Sequence, residues 1–426
     1  MILLQNARLI DPANGLDTRG SLLLEDGKIA AVGEVAPPPG AEVVDCTGLC
    51  AAPGLVDMHV HLRDPGQTQK EDVYSGCRAA AAGGVTTLLC MPNTTPALDT
   101  PERIGAVREK AKEATAHVCV AGALTVGLKG EARTDLAALK AAGAAAFSDD
   151  GRPVSNSRLM AEALCEAARL SVPVVSHCED LSLSAGGKIN EGEVSRSLGV
   201  PGVPAAAEDC GTARDLALAA AYNVPVHICH VSTRTSVALI RDYKRRGVPV
   251  TCETGPHYFA LTDEALQTRD ADYRMSPPLR TEADREAIIE GLKDGTIDAI
   301  ATDHAPHTPE EKADFLKAPN GVVGMETSLS AGITYLVRPG LLTLSELIEK
   351  MSPAPARILG LPAGTLSPGS AADVVVFDPD ETWVVSPEAL HGKSRNAVFK
   401  GKTLSGRVKR TYLSGRLVYC DAAEGK

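Results

Sequence analysis

The chain has 426 residues, 44% of them hydrophobic, which is enough to bury a large core in one large domain with a smaller companion. Its 43 basic and 54 acidic residues leave a net charge of -11 with no long block of either sign, which argues against nucleic acid as a partner. The 11 scattered cysteines show no zinc-knuckle or disulfide spacing and read as small buried hydrophobes in a reducing compartment.

The amino terminus, MILLQNARLIDP, carries neither a basic leader nor a sustained apolar core, and no later run is long enough to span a bilayer. A cytoplasmic protein is expected. Residues 1–53 read as short strands at Ile2 to Ile10, Ser21 to Glu25 and Ile29 to Val32, with Asp26-Gly27 as a hairpin signal. That segment is too small to bury a core alone. Ala372 to Phe377, Trp383 to Val385 and Val408 to Tyr419 have the same texture, so residues 1–53 and 362–426 are expected to combine in one small β-sandwich domain.

Between them, apolar runs alternate with Ala-rich stretches of helical period. The runs are Gly54–Leu62, Val85–Met91, His117–Leu124, Ala144–Ser148, Val172–Ser176, Val224–Cys229, Val248–Cys252 and Ile297–Ala301. Eight strands each followed by a helix is the pattern of an α/β chain of the (β/α)8 TIM-barrel class, here over 54–361. An open doubly wound sheet lacks support, because no Gly-x-Gly-x-x-Gly or phosphate-loop sequence follows a strand.

Active sites on such a barrel lie at the carboxyl ends of its strands, so competent side chains should follow the apolar runs. His59 and His61 close the first run, Asn93 follows the second, Asp149 and Asp150 the fourth, His177 the fifth, His230 the sixth, and Asp303 and His304 the eighth. His59 and His61 sit two apart on a strand and share a face. Each of these residues alone has a structural explanation, such as a turn, a cap or a satisfied core histidine. Four histidines and two carboxylates converging on one barrel mouth point instead to metal. Nitrogen and oxygen ligands without thiolate suit Zn²⁺, in number enough for two ions sharing a bridge, whose bound water would serve as nucleophile. His117 begins a strand and His391 lies outside the barrel, so both are expected to be structural. His227 stands at odd spacing from His230 and is expected on the opposite face.

The stretches HVHLRDPG, MPNT, FSDDG, HCED, CHVST, YRMSPPLR and ATDHAPH, in that order, closely resemble dihydroorotases of the bacterial class I type, within the amidohydrolase superfamily. The resemblance covers nearly the whole chain. It implies a zinc enzyme of pyrimidine biosynthesis that interconverts N-carbamoyl-L-aspartate and L-dihydroorotate. Carried over, the metal ligands fall on His59, His61, Asp150, His177, His230 and Asp303, with Asp303 also the proton carrier. Substrate contacts fall on Arg63, Asn93, Ser276, His307, Asn320 and Gly321. The residues alone do not choose between Asp149 and Asp150; the family pattern selects Asp150, in the position where many superfamily members carry a carboxylated lysine.

Two positions depart from the family pattern: Ser276 stands where Asn is usual, and Asn320 where Phe or Pro is common. The resemblance also implies a homodimer and raises association with aspartate transcarbamoylase. Another cyclic-amide hydrolase, a hydantoinase or allantoinase, would share the metal site with less need of a carboxylate clamp. A non-catalytic structural subunit would be expected to lose ligands, and none is missing. The charged stretch Thr308 to Pro319 reads equally as a lid or a solvated loop.

Overall fold

Strands Leu55–Val60, Val85–Cys90, His117–Ala123 and Ala144–Ser148 pair in parallel in that order. Val175–Ser176, Val226–Ile228, Val250–Thr254 and Ala299–Ile300 form a second parallel run. In the computed structural model, which describes residues 1–421, two junctions join the runs into a ring. The Phe147 N–H donates to the Pro173 carbonyl at 2.9 Å, and the His61 N–H to the His304 carbonyl at 2.8 Å. Parallel bridges between Phe147 and Val174 and between Val60 and His304 accompany them. Each strand lies within one of the apolar runs or overlaps it.

The ring interior is filled by small or flexible side chains, among them Met58, Leu89, Ala121, Ala146, Val175, Cys229 and Ala299. Eight inward-facing strands leave only enough room for side chains of this size. Outside, the helices Val73–Ala82, Pro101–Lys110, Leu136–Ala141, Ser157–Arg169, Ala205–Tyr222, Arg234–Arg245 and Glu282–Lys293 lie in the stretches between the apolar runs. Local signals start them. The Asp72 carboxylate accepts from the Ser75 N–H, and the Asn156 amide oxygen from the N–H groups of Arg158 and Leu159. Val73–Ala82 is almost wholly buried because its alanines allow the helix to lie close against the sheet. Leu344–Met351 and Pro353–Ile358 follow the last strand.

Strands from the two ends of the chain form one eight-stranded sheet. The seam is the antiparallel pairing of Val374–Val384 with Cys50–Pro53, in which Val374 faces Pro53 and Phe377 faces Cys50. Side chains alternate across a strand, and here both faces are covered. Val374 and Val376 pack with Leu4, Leu22 and Ile29 in a core of the sheet's own, while Val375 and Phe377 join the large core around the barrel. This explains why ADVVVF is a continuous apolar run rather than an alternating one. Among the described residues, no helix is long and apolar enough to cross a membrane.

Candidate metal centre and substrate cavity

The candidate ligands lie within or just beyond the carboxyl-terminal ends of barrel strands. The His59 ring meets Asp150 Oδ1 at 3.2 Å through Nε2, and His61 Nε2 lies 3.0 Å from Asp303 Oδ1 and 3.5 Å from Asp150 Oδ2. From the other side, His177 Nδ1 and His230 Nε2 lie 3.5 and 3.7 Å from Asp150 Oδ1 and 2.8 Å from each other. Three ligand trios result: His59 with His61 and Asp150, His177 with His230 and Asp150, and His59 with Cys229 and Glu253. Asp150 belongs to the first two. Of the two neighbouring aspartates, Asp150 is the one that stands among these histidines. Asp149 turns away and accepts from the backbone N–H and hydroxyl of Thr125.

These groups fit a metal ion. His59 Nε2 and Asp150 Oδ1 are fully buried, face each other, and have no hydrogen-bond partner. Buried polar atoms are rarely left so unless something else satisfies them. In the two trios that share Asp150 every donor is an imidazole nitrogen or a carboxylate oxygen, a set suited to zinc and its neighbours. Burial works against ionisation of Asp150, yet the surrounding imidazoles, His59 foremost, hold its carboxyl well below the usual range. Burial likewise opposes ionisation of Asp303, and His61 and His59 hold that carboxyl below its ordinary value.

The backbone at this mouth is strained. Arg63, His230 and Asp303 have φ of 60°, 35° and 47°, in the left-handed region that residues with a Cβ seldom occupy. The turn at His230 also corrects one expectation from spacing. His227 does not point away from the site; it lies inside the barrel, with Nε2 3.4 Å from Glu253, whose other oxygen lies 2.8 Å from His59 Nδ1. The strand ends at Ile228, so alternation does not carry through to His230.

Above the metal-facing groups opens a cavity of about 290 Å³, and Arg63, Asn93, Ser276, His307, Asn320 and Gly321 all line it. Asn93 is tied to the metal side, accepting at 2.8 Å from His61 Nδ1 and donating to Asp150 Oδ2 at 3.2 Å. On the opposite wall the buried Arg63 donates to the Pro306 carbonyl at 3.2 Å, and its Nη2 lies 3.3 Å from His307 Nε2. Burial pushes the Arg63 guanidinium down to about 10, so it still carries its charge at neutral pH. Burial, together with Arg63, Lys70 and Lys312, pushes His307 down to about 3 and keeps it neutral. One wall thus offers a fixed cation and a neutral imidazole.

The stretch Thr308 to Pro319 is braced. The Lys312 ammonium is buried and donates to the carbonyls of Ala271, Arg274 and Pro319 at 2.9, 3.2 and 3.0 Å, and Lys70 pairs with Glu311 at 3.0 Å. His117 and His391 lie away from the cavity, paired with Asp373 and Glu326. Sequence reasoning did not single out Glu253, Glu179 or His257. Glu253 and Glu179 orient His59 and His177, the latter at 3.1 Å, and His257 is buried with Nε2 unpartnered. For Glu179 the signal was present in HCED, two residues after His177.

Residues 48–236 match the family described as Dihydro-orotase-like. The chain is 50% identical over 421 residues to the dihydroorotase of Geobacter metallireducens, covering 98% of this chain and 99% of that one. It is 50% identical over 422 residues to that of Syntrophus aciditrophicus, at the same coverage. Among solved structures it resembles the L-hydantoinase (dihydropyrimidinase) of Arthrobacter aurescens, with TM-score 0.87 and 26% identity over 98% of this chain and 95% of that chain. Identity at half of all positions, sustained along nearly the full length of both chains, places this protein beyond a shared barrel: it belongs to the dihydroorotase family.

Proposed function

We propose that the protein is a zinc-dependent dihydroorotase that interconverts N-carbamoyl-L-aspartate and L-dihydroorotate in pyrimidine biosynthesis. The observation that carries this reading is the cavity's second wall, where the charged Arg63 stands beside neutral His307 and across from Asn93. A substrate with a free carboxylate needs such a wall; dihydrouracil or an uncharged hydantoin does not. The two trios that share Asp150 would hold the metal.

His59, His61, Asp150, His177, His230 and Asp303 would hold the metal. When bound, it supplies an activated water and a positive charge for the oxygen of the amide undergoing attack. Arg63, Asn93 and His307 receive the substrate carboxylate, with Ser276 and the backbone at Asn320 and Gly321 along the ring. Asp303, whose Oδ1 already contacts His61, takes the proton of the attacking water and delivers it to the ring nitrogen as the C–N bond breaks. Ring closure runs in reverse. It turns a carboxylate into an amide and consumes a proton, so acid pH favours closure and alkaline pH hydrolysis.

The likeness to hydantoinases sustains a second reading, another cyclic-amide hydrolase. The test is metal quantification on the purified protein, together with turnover of L-dihydroorotate and of dihydrouracil, which lacks the carboxylate. Preference for dihydroorotate is expected. Equal turnover of the two would overturn the assignment in favour of the hydantoinase reading.

A further inference from the structure

The segment after the seam strand Val374–Val384 does not stay with its sheet; residues 393–397 reach the barrel mouth and touch both loops that build the carboxylate wall. Asn396 is buried, does not line the cavity, and makes three contacts with residues that do. Its amide nitrogen donates to the carbonyls of Ala305 and Gly321 at 3.2 and 2.9 Å, and its oxygen accepts from the His307 N–H at 3.2 Å. Two positions earlier, the Ser394 hydroxyl donates to the Lys70 carbonyl at 2.7 Å, on the loop that begins with Arg63.

We infer that Asn396 is a positioning residue for substrate binding: a side chain from the C-terminal segment that sets the distance between His307 and Gly321 and so fixes the wall that receives the substrate carboxylate. The inference rests on the functional reading above. Its chemistry is specific to an amide, which presents two donors and an acceptor from one planar group. Gly321 shows how little slack the wall has. With φ of 142°, a Cβ there would lie 2.7 Å from the Ala305 carbonyl oxygen and 3.0 Å from the His307 ring. An aspartate at 396 would keep the size and the acceptor but set a carboxylate oxygen against two carbonyl oxygens.

The test is Asn396→Asp in the full metal-loaded chain, read by steady-state kinetics on dihydroorotate, metal content, and hydrogen exchange of the amides in 303–323. KM should rise about tenfold or more with kcat within about threefold, the pattern of lost ground-state binding. Metal content should equal wild type, and exchange should quicken at His307 and Gly321. The KM effect should largely vanish in a His307→Ala background, because both changes break the same wall. An unchanged KM, an effect that adds fully to His307→Ala, or a loss that appears as missing metal would each overturn the inference. If Asn396→Asp does not fold, Asn396→Ser, with one donor and one acceptor on a shorter side chain, is judged by the same criteria. Should the wild-type protein fail to turn over dihydroorotate, the functional reading falls. The exchange rates then decide alone: unchanged rates in 303–323 overturn the brace.

Discussion

On one side of the cavity, His59, His61, Asp150, His177, His230 and Asp303 each lie within or just beyond the carboxyl-terminal end of a barrel strand. The facing wall, with Arg63, His307, Asn320 and Gly321, is made of two loops tied to each other and to residues 393–397. The first side is held by the ladder hydrogen bonds of the ring itself. The second is held by side chains, Lys70 with Glu311, Lys312 on three carbonyls, and Asn396 across two loops. Strand ends fixed by the barrel and loops free to differ are what the fold allows, and the fold is shared with an L-hydantoinase at 26% identity.

The sharpest way to break this division is at Asp150, the side chain shared by the trio of His59 and His61 and the trio of His177 and His230. Asp150→Ala should lose metal from both and fall to the background rate, as measured by metal analysis after dialysis and by turnover. Its carboxylate is part of the side chain and is not made from CO₂, so added bicarbonate should restore nothing. A bicarbonate-dependent recovery would contradict the bridge assignment.

Asp303→Asn separates holding metal from moving the proton. It keeps the size and one oxygen but removes the basic site, and turnover should fall by roughly 10²–10⁴-fold. Much of the metal should remain, and dihydroorotate should still bind. Single-turnover rates measured with the metal content decide it; a rate within a few-fold of wild type, with metal in place, would move the proton carrier to His307. On the other wall, Arg63→Met should lower kcat/KM for dihydroorotate by roughly 10–100-fold, the scale of a lost hydrogen bond to a charged group. Metal content should stay near wild type, and a matching loss of metal would erase the division between the two sides.

The smallest effect concerns pH. His307 has a folded value of about 3 against an ordinary 6.5, so the unfolded chain takes up the proton first as pH falls. Its contribution to stability is complete above pH 6.5 and is lost progressively towards pH 3. Melting at pH 7 and pH 4 should show a smaller acid loss in His307→Asn than in wild type. An equal loss in the two proteins would show that His307 is not held neutral by its wall.

The strand-end side of the site was legible because two local rules apply together: an apolar run marks a barrel strand, and the polar residue closing it faces the mouth. His177 obeys both, and His59 and Asp303 lie within a few positions of a strand end; Asp150 does not follow from them, because Asp149 closes that run and turns to Thr125. Spacing misplaces His227, because the backbone leaves the strand after Ile228 and turns at His230. Glu253 escaped notice because it lies within a strand, beneath the mouth. For Asn396 no local pattern exists, since its partners lie 75 to 91 positions earlier in the chain. The seam was legible only as matching strand texture at both ends; its register follows from which residues Val375 and Phe377 cover.

The pairing of Val374–Val384 with Cys50–Pro53 also sets an order on biosynthesis. A chain that has emerged from the ribosome through residue 361 already contains every barrel strand and every metal-facing side chain. Cys50–Pro53 still has one open hydrogen-bonding edge, and an open edge is a template for pairing with another chain. Ala305, His307 and Gly321 at that moment also lack the amide that joins them. The wall with Arg63 and His307 is thus the part of the candidate site that draws on the last-made segment of the chain.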